Sequence, residues 1–586
     1  MGFQFSSFLH LLHRKVFSKM VKTVFILLTF FTYGLLLIPT FLLLMSPLYL
    51  YRYIIRHLAP HFRPDFIRMV NTRDGIVGLD YFQKRCHCVI NIMLTYRGKP
   101  DLAHLRHIFQ TKVLNVKYSD EGIVRNGKRG DDYIYEKFTH YYEAWMGHAF
   151  WKKEENFVLE EHIRFCEETE AHLKGQEVGV ISEDDGNNNN NEDNFKNNNN
   201  QVDYKNNVNE DKSSTSVVTE EDFCRIMGPI STRPFKRGMS PWEILIVRKF
   251  VPTVAKVHGD FVPTTPVGGE DEKEKFLFVF RVHHSLSDGY SLLKLILTNF
   301  SDEDMSKIPP PPVRQLSLFK KIMVYLGIII LSPYYHLKQF VMDVDRNFWH
   351  VRRESKLTHD WVTIRSEKVS MTGLKEISKA QKVTMTAVLL TGFGTGIKSF
   401  LKKTGQEEKT PKIMRAFAPM PWKKHPMNGL VNHWTLGFLV VPVGYNAVQK
   451  RLKVSNKSVQ LLKTSPILFT NFGTVPMLLA PPSWINQFWA TNWMTTMILS
   501  NFPGPNFAVL SFERYHLEDV SFWVPQMKGT AGMGVGFLSY NGGMRITATI
   551  DRKLIPTHEK AELLMQCVND ELRNLRGILA NGEDVV

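Results

Sequence analysis

Between Val24 and Leu50 the chain runs for twenty-seven residues without a charged side chain. That is well beyond the apolar stretch of a signal peptide, about 7–15 residues. It exceeds the roughly 20 residues that a helix needs to cross a bilayer. Residues 1–64 contain no Asp or Glu, while Arg14, Lys15, Lys19 and Lys22 precede the run and Arg52, Arg56 and Arg63 follow it. A segment of this kind reads as a membrane anchor in one of two forms. One is a single tilted span. The other is a hairpin folded near Pro39, with helical arms about 20 Å long at 1.5 Å per residue. Basic residues on both flanks favour two ends in the cytosol. Residues 3–20 place Phe3, Phe5, Phe8, Leu12, Val16 and Phe17 among basic residues, a pattern suited to an interfacial helix.

The rest of the 586-residue chain is rich enough in apolar (44%) and aromatic (12%) residues to build large cores, which excludes a mainly disordered protein. The charge of +16, from 73 Lys and Arg against 57 Asp and Glu, permits a nucleic acid, an anionic lipid or a phosphorylated ligand as partner. No zinc finger, RNP-type aromatic pattern or base-reading basic helix is evident, so nucleic acid is not expected. Five cysteines in this length exclude a disulfide scaffold. Cys86-His87-Cys88 is clustered but lacks a second pair at zinc spacing, so no metal is expected.

The composition divides the chain into four parts: an anchor over 1–64, a first lobe over 65–300, a crossover linker over 301–354 and a second lobe over 355–586. Within the first lobe, 183–216 carries Asn187–Asn191 and Asn197–Asn200 and reads as a disordered insertion. Phe157–Ile163 reads as the start of a strand, and 241–247 and 276–282 as buried strands. The linker holds Pro309–Pro312 and the apolar stretch 322–335, too short to span a bilayer. Flanked by Lys320, Lys321 and Lys338, it lies either on a membrane surface or in a core. In the second lobe a helix is expected over 387–400, a strand near 436–443, and a strand pair at 534–538 and 545–551.

The chemistry concentrates at one turn. The run 276–282 leads into His283-His284-Ser285-Leu286-Ser287-Asp288-Gly289, and a helical pattern of Leu292, Leu293, Leu295, Ile296 and Phe300 follows. A histidine at such a strand–turn–helix joint has a fixed ring, the first requirement of a general base. Asp288 suits a helix N-terminus electrostatically. Gly289 allows a tight turn or a close ligand approach.

His283-His284-x-x-x-Asp288-Gly289 resembles the H-H-x-x-x-D-G motif of the coenzyme-A-dependent acyltransferase superfamily. Other segments are similar to one branch, the bifunctional wax ester synthase/diacylglycerol acyltransferase family. Phe157-x-Leu159-x-x-His162-Ile163 resembles its F-D-x-x-x-H-V segment, with Val158 in place of Asp. Ser240-Pro241-Trp242-Glu243 resembles R-P-L-W-E, Asn501-Phe502-Pro503-Gly504-Pro505 resembles N-V-P-G-P, and Gly534–Asp551 resembles the last strand pair. The similarity runs from about 70 to 575. Thr386-Ala387 departs from the N-D pair that precedes a V-L-L helix in the family, and the bacterial pattern has neither the N-terminal apolar segment nor the Asn-rich insertion.

The resemblance implies a two-lobed α/β fold, chloramphenicol-acetyltransferase-like or condensation-domain-like; the membrane-embedded helical N-terminus read from Val24–Leu50 precedes it. It implies acyl transfer from acyl-CoA to a lipophilic alcohol, making a wax ester from a long-chain alcohol, triacylglycerol from diacylglycerol, or both. Acyl-CoA is a substrate and no cofactor is expected. His284 would be the general base, His283 a supporting group and Asp288 an ion-paired organiser of the loop. Gly289, Asn501, Pro503 and Gly504 would contact substrate. The expected place is a membrane, the endoplasmic reticulum or a lipid droplet, with both lobes in the cytosol. Two alternatives stand beside this reading. His283 and Asp288 also fit the H-x-x-x-x-D spacing of glycerolipid acyltransferases, although no F-P-E-G-type motif follows. The Thr386-Ala387 departure leaves room for an inactive, membrane-tethered lipid-binding protein of the same fold.

Overall fold

The structure, a computed structural model, describes residues 20–75, 86–119, 132–167, 169, 217–253, 274–302, 317–353, 356–426, 428–487, 492–524 and 529–581. The Asn-rich segment 183–216 and most of the proline-rich stretch after Asp302 lie outside these residues. So does most of the segment 3–20.

Two mixed sheets form the two lobes. The first is built from β1 (Val89–Arg97), β2 (Ile163–Phe165), β3 (Trp242–Val247) and β4 (Lys275–His283). The second is built from β5 (Trp361–Arg365), β6 (Ile413–Pro421), β7 (Trp434–Pro442), β8 (Met497–Pro503), β11 (Met533–Tyr540) and β12 (Gly543–Asp551), in the order β5-β12-β11-β8-β6-β7. The strands between β8 and β11, β9 (Val509–Ser511) and β10 (Tyr515–Trp523), leave the second lobe. They join the first sheet, whose order is β9-β10-β1-β4-β3-β2. This corrects the division at 355: residues 509–523 are first-lobe sheet. β10 pairs antiparallel with β1, Trp523 opposite Asn91 and Val520 opposite Leu94. Strand patterning reports which side chains are buried but not which neighbour a strand pairs with.

The expected strands form where the apolar runs are, because a sheet covered on both faces needs continuous apolar sequence. β3, β11 and β12 are buried at every position. The charged exceptions are paired. Glu243 on β3 sits opposite Arg281 on β4 and binds it directly, with Arg233 and Arg164 closing around the same carboxylate. Burial opposes that charge, and the three guanidiniums outweigh it and hold the Glu243 carboxyl far below the usual carboxylate range. Phe157–Ile163 differs from expectation: Leu159–His162 is one helical turn, and the strand starts at Ile163.

The N-terminal apolar segment is one helix, α1 (Met20–Phe62), 43 residues long. The hairpin at Pro39 is therefore not formed. The chain widens into π-helical turns over Phe30–Leu37, and Pro39 falls at the first turn of the α-helical part that follows. The π-bulge absorbs the irregularity that a proline brings to the helix interior. The stretch expected over 322–335 extends to a helix of 25 residues over Leu318–Met342, long enough to cross a bilayer. It is not buried in a core either, since most of its large apolar side chains are exposed.

Candidate active site

β4 delivers His283 and His284 to the seam between the lobes, and α2 (Gly289–Leu295) starts five residues later. The turn between them is pinned at its start, where His283 N–H donates to Pro241 and His284 N–H to Cys88. Asp288 caps α2, its Oδ1 accepting from Ser291 N–H at 2.8 Å. Such a cap contributes about 1 kcal/mol.

The other side of the site comes from the second lobe. Residues 422–426 and 428–433, between β6 and β7, reach across and clasp the histidine turn. Val431 C=O accepts from Asp288 N–H at 3.0 Å, and Lys294 Nζ donates to Pro426 C=O at 2.8 Å. His425 Nε2 donates to the Asp288 carboxylate at 3.0 Å, and His433 N–H donates to it at 2.8 Å. Burial opposes the charge of Asp288. The His425 hydrogen bond and charge, and the N–H groups of Ser291 and His433, outweigh burial and hold its carboxyl below the ordinary value.

Asn432 orders the His284 ring. Its Nδ2 donates to Asp74 Oδ1 at 2.9 Å, to His284 C=O at 2.9 Å and to Ser285 C=O at 3.3 Å. That orientation leaves Oδ1 as the only amide atom facing His284 Nδ1, 3.0 Å away. An amide oxygen only accepts, so the network assigns the proton to Nδ1 and the lone pair to Nε2. Burial pushes the His284 pKa below the usual histidine value, with Asp288 pulling the other way. Behind Asn432, Asp74 Oδ2 is paired with Lys137 Nζ at 3.1 Å, and Lys137 also donates to Leu286 C=O in the histidine turn.

His284 lines a cleft of about 910 Å³, open mouth included. Both lobes wall it: Ile92, Tyr290 and Leu293 from the first, and Phe417, Trp434 and Ile498 from the second. The lining is almost wholly apolar apart from His284, Asp288 and Ser500.

The predicted site residues divide accordingly. His284, Asp288 and Gly289 line the cleft. His283 does not. It is fully buried, its Nδ1 lies 2.8 Å from Ser285 Oγ and its ring packs near Tyr142. The H-x-x-x-x-D reading therefore fails, since Asp288 is committed to His425 and His433 while His283 faces the core. At Gly289 the backbone approaches the Phe502 ring across the cleft closely: a Cβ there would lie 3.1 Å from that ring, which would have to shift slightly. On β8 it is Ser500 and Phe502 that face the cleft, because strand side chains alternate. Asn501, Pro503 and Gly504 are thus corrected. Asn501 Nδ2 donates to Thr386 Oγ1 at 3.2 Å, and Gly504 N–H donates to Ser539 C=O at 3.0 Å. Asn501→Ala is expected to cost about 0.5–1.5 kcal/mol of stability, one hydrogen bond, and to leave KM for both substrates unchanged. Thermal melting and steady-state kinetics check this.

Sequence reasoning missed Asn432, Asp74, Lys137, His425 and His433. The one available signal was Asn432-His433, two polar residues immediately ahead of the apolar strand 434–442.

Residues 432–576 match the family described as the WS/DGAT C-terminal domain. Among solved structures, the chain is similar to a wax ester synthase/diacylglycerol acyltransferase from Marinobacter aquaeolei VT8, at 14% identity over 87% of this chain and 99% of that chain (TM-score 0.49). It is also similar to a trichothecene 15-O-acetyltransferase from Fusarium sporotrichioides, at 10% identity over 86% and 94% (TM-score 0.50). A condensation domain of the calcium-dependent antibiotic synthetase matches at 9% identity over 88% and 96% (TM-score 0.47). At such identities the acetyltransferase likeness is one of fold, the two-lobed α/β architecture. No curated protein sequence matches. The matched domain opens at Asn432, the residue that orients His284, and runs through β7 to the last helix; over those residues the chain is similar to the family described as the WS/DGAT C-terminal domain.

Proposed function

We propose that the protein is a membrane-bound O-acyltransferase that moves a fatty acyl group from acyl-CoA to a lipophilic alcohol, with His284 as general base. The alcohol is a long-chain fatty alcohol, giving a wax ester, or diacylglycerol, giving triacylglycerol. The observation that carries this is the His284 ring, held at Nδ1 by the Asn432 amide oxygen so that Nε2 is left as its basic nitrogen, at an apolar cleft walled by both lobes. In the reaction the acceptor hydroxyl gives its proton to Nε2 as its oxygen attacks the thioester carbonyl. The C–S bond then breaks, and the CoA sulfur takes the proton back from the imidazolium. No covalent enzyme intermediate is required. Asp288 stays ionised and holds the turn, and His283 supports it from the core. The apolar walls favour alkyl chains and exclude water that would hydrolyse the thioester. α1 and its basic flanks support attachment to the endoplasmic reticulum or a lipid droplet, with the lobes on the cytosolic side.

Purified full-length protein in detergent, given labelled palmitoyl-CoA with a mixture of hexadecanol, dioleoylglycerol and cholesterol, is expected to form a labelled wax ester or triacylglycerol with equimolar release of CoA thiol. Thiol release without any labelled ester would overturn the assignment.

A further inference from the structure

The helix over Leu318–Met342, α3, stands out from the lobes with apolar side chains on every side. Leu318 is 74% exposed, Phe319 72%, Tyr325 63% and Leu326 47%, and Ile322, Met323, Val324 and Ile329 are exposed too. A soluble helix carries one apolar stripe toward its core. A helix apolar all round belongs inside a core or a bilayer, and among the described residues no core covers this one. Its 25 residues contain no Asp or Glu, and Lys320 and Lys321 sit near its start. At 1.5 Å per residue it is about 37 Å long.

α3 is joined to α1 and to the apolar helix over Ile467–Leu478, here α5; α4 is Met385–Lys403. A Cβ on Gly34 of α1 would lie 2.7 Å from Pro333, so the two helices meet with almost nothing between them. Tyr33 Oη and His336 Nδ1 are 2.8 Å apart, and Phe25 meets Tyr334 edge-on. Ser332 Oγ and Thr470 Oγ1 are 2.6 Å apart, Asn471 Nδ2 donates to Gln339 Oε1 at 3.2 Å, and Tyr49 Oη donates to Met477 C=O at 2.8 Å. Three segments far apart in sequence are thus fastened together, α1 to α3 over Phe25–Gly34 and to α5 at Tyr49, and the first half of α3 extends beyond these contacts.

That place adjoins the cleft. Asn471 Nδ2 donates to Leu436 C=O and Thr435 Oγ1 donates to Leu468 C=O, both at 2.8 Å, just beyond the cleft residue Trp434. Phe472 of α5 stacks at 4.4 Å on Trp422, the residue after the cleft residue Pro421.

We propose that α3 is a second membrane-inserted helix, and that α1, α3 and α5 form one platform that seats the cleft against a bilayer bearing anionic headgroups. The inference rests on the membrane reading of α1 given above. A lipid surface fits better than a second protein copy because both helices lack acidic residues and have basic residues near their ends, where headgroup phosphates lie. An acceptor alcohol dissolved in the bilayer then reaches the cleft beside α5 without crossing water.

The test uses the full chain reconstituted in vesicles of equal parts phosphatidylcholine and phosphatidylserine. Single variants Leu326→Cys on α3 and Leu36→Cys on α1 each carry a thiol-linked environment-sensitive fluorophore; the five native cysteines are buried. A severalfold loss of Leu326-site fluorescence with lipids nitroxide-labelled on the acyl chain, and little loss with aqueous iodide, is expected. Iodide quenching at 326 together with lipid quenching at 36 would overturn the inference and keep the α1 anchor. Iodide quenching at both sites would overturn both. Quenching at 326 by neither agent would mean that protein covers α3, which also overturns it. Ile329→Cys repeats the measurement one turn along and must agree.

Discussion

His284→Ala is expected to lower ester synthesis by roughly 10²–10⁴-fold, the usual contribution of a general base, and to leave the melting temperature near that of the parent. The ring borders a cleft, so its loss opens space that water can fill, and Asn432 keeps its three carbonyl and carboxylate partners on Nδ2. Asp288→Ala is expected to behave differently. It removes a helix cap and the acceptor of both His425 and His433 across the lobe seam, so melting temperature and turnover fall together. His283→Ala is expected to be the mildest for turnover, because that ring faces the core. The pH profile gives a second handle. His284 is pushed below the ordinary value of about 6.5 mainly by burial. The base form is fully present above that lowered pKa and is lost as pH falls through it. The acid limb of kcat/KM should therefore lie below about 6.5. Near-normal ester synthesis by His284→Ala, or an acid limb well above 7, would remove His284 from the role.

The histidine turn was legible because its signal is local. An apolar run broken only by Arg281 fixes β4, and two histidines, an aspartate and a glycine follow within seven residues. What the turn is fastened to was not legible. Asn432 is 148 residues from His284, and Asp74 is 358 residues from Asn432. A single polar side chain ahead of a strand has no periodicity by which to announce its partner. The same limit explains β9 and β10, whose apolar pattern fits either sheet. It also explains Asn501: the resemblance marked the segment, but which alternate positions face the cleft follows from the pairing of β8 with β11, Asn501 opposite Phe537. The length of α3 was underread because the polar residues Lys320, Lys321 and His336 interrupt the apolar count without interrupting the helix.

The Asp74–Lys137 pair provides the largest expected stability effect in the site. Asp74 is 3% exposed and Lys137 9%, so Asp74→Ala strands a buried ammonium, which typically costs about 3–5 kcal/mol. It also removes one of the three acceptors that orient the Asn432 amide. The two consequences separate in the double variant Asp74→Ala, Lys137→Met. Replacing a buried ion pair by apolar groups is often neutral in stability, so the double variant should melt close to the parent. Its kcat should nevertheless remain about tenfold low, the equivalent of one hydrogen bond of about 1.4 kcal/mol lost from the ring's support, with KM for acyl-CoA little changed. Urea unfolding and steady-state kinetics on the single and double variants decide the matter. If stability and kcat recover together, Asp74 serves only as the counter-charge of Lys137. If kcat stays low in a stable protein, Asp74 positions the base through Asn432, and the histidine of the motif works only because a residue from the other lobe holds its proton on Nδ1.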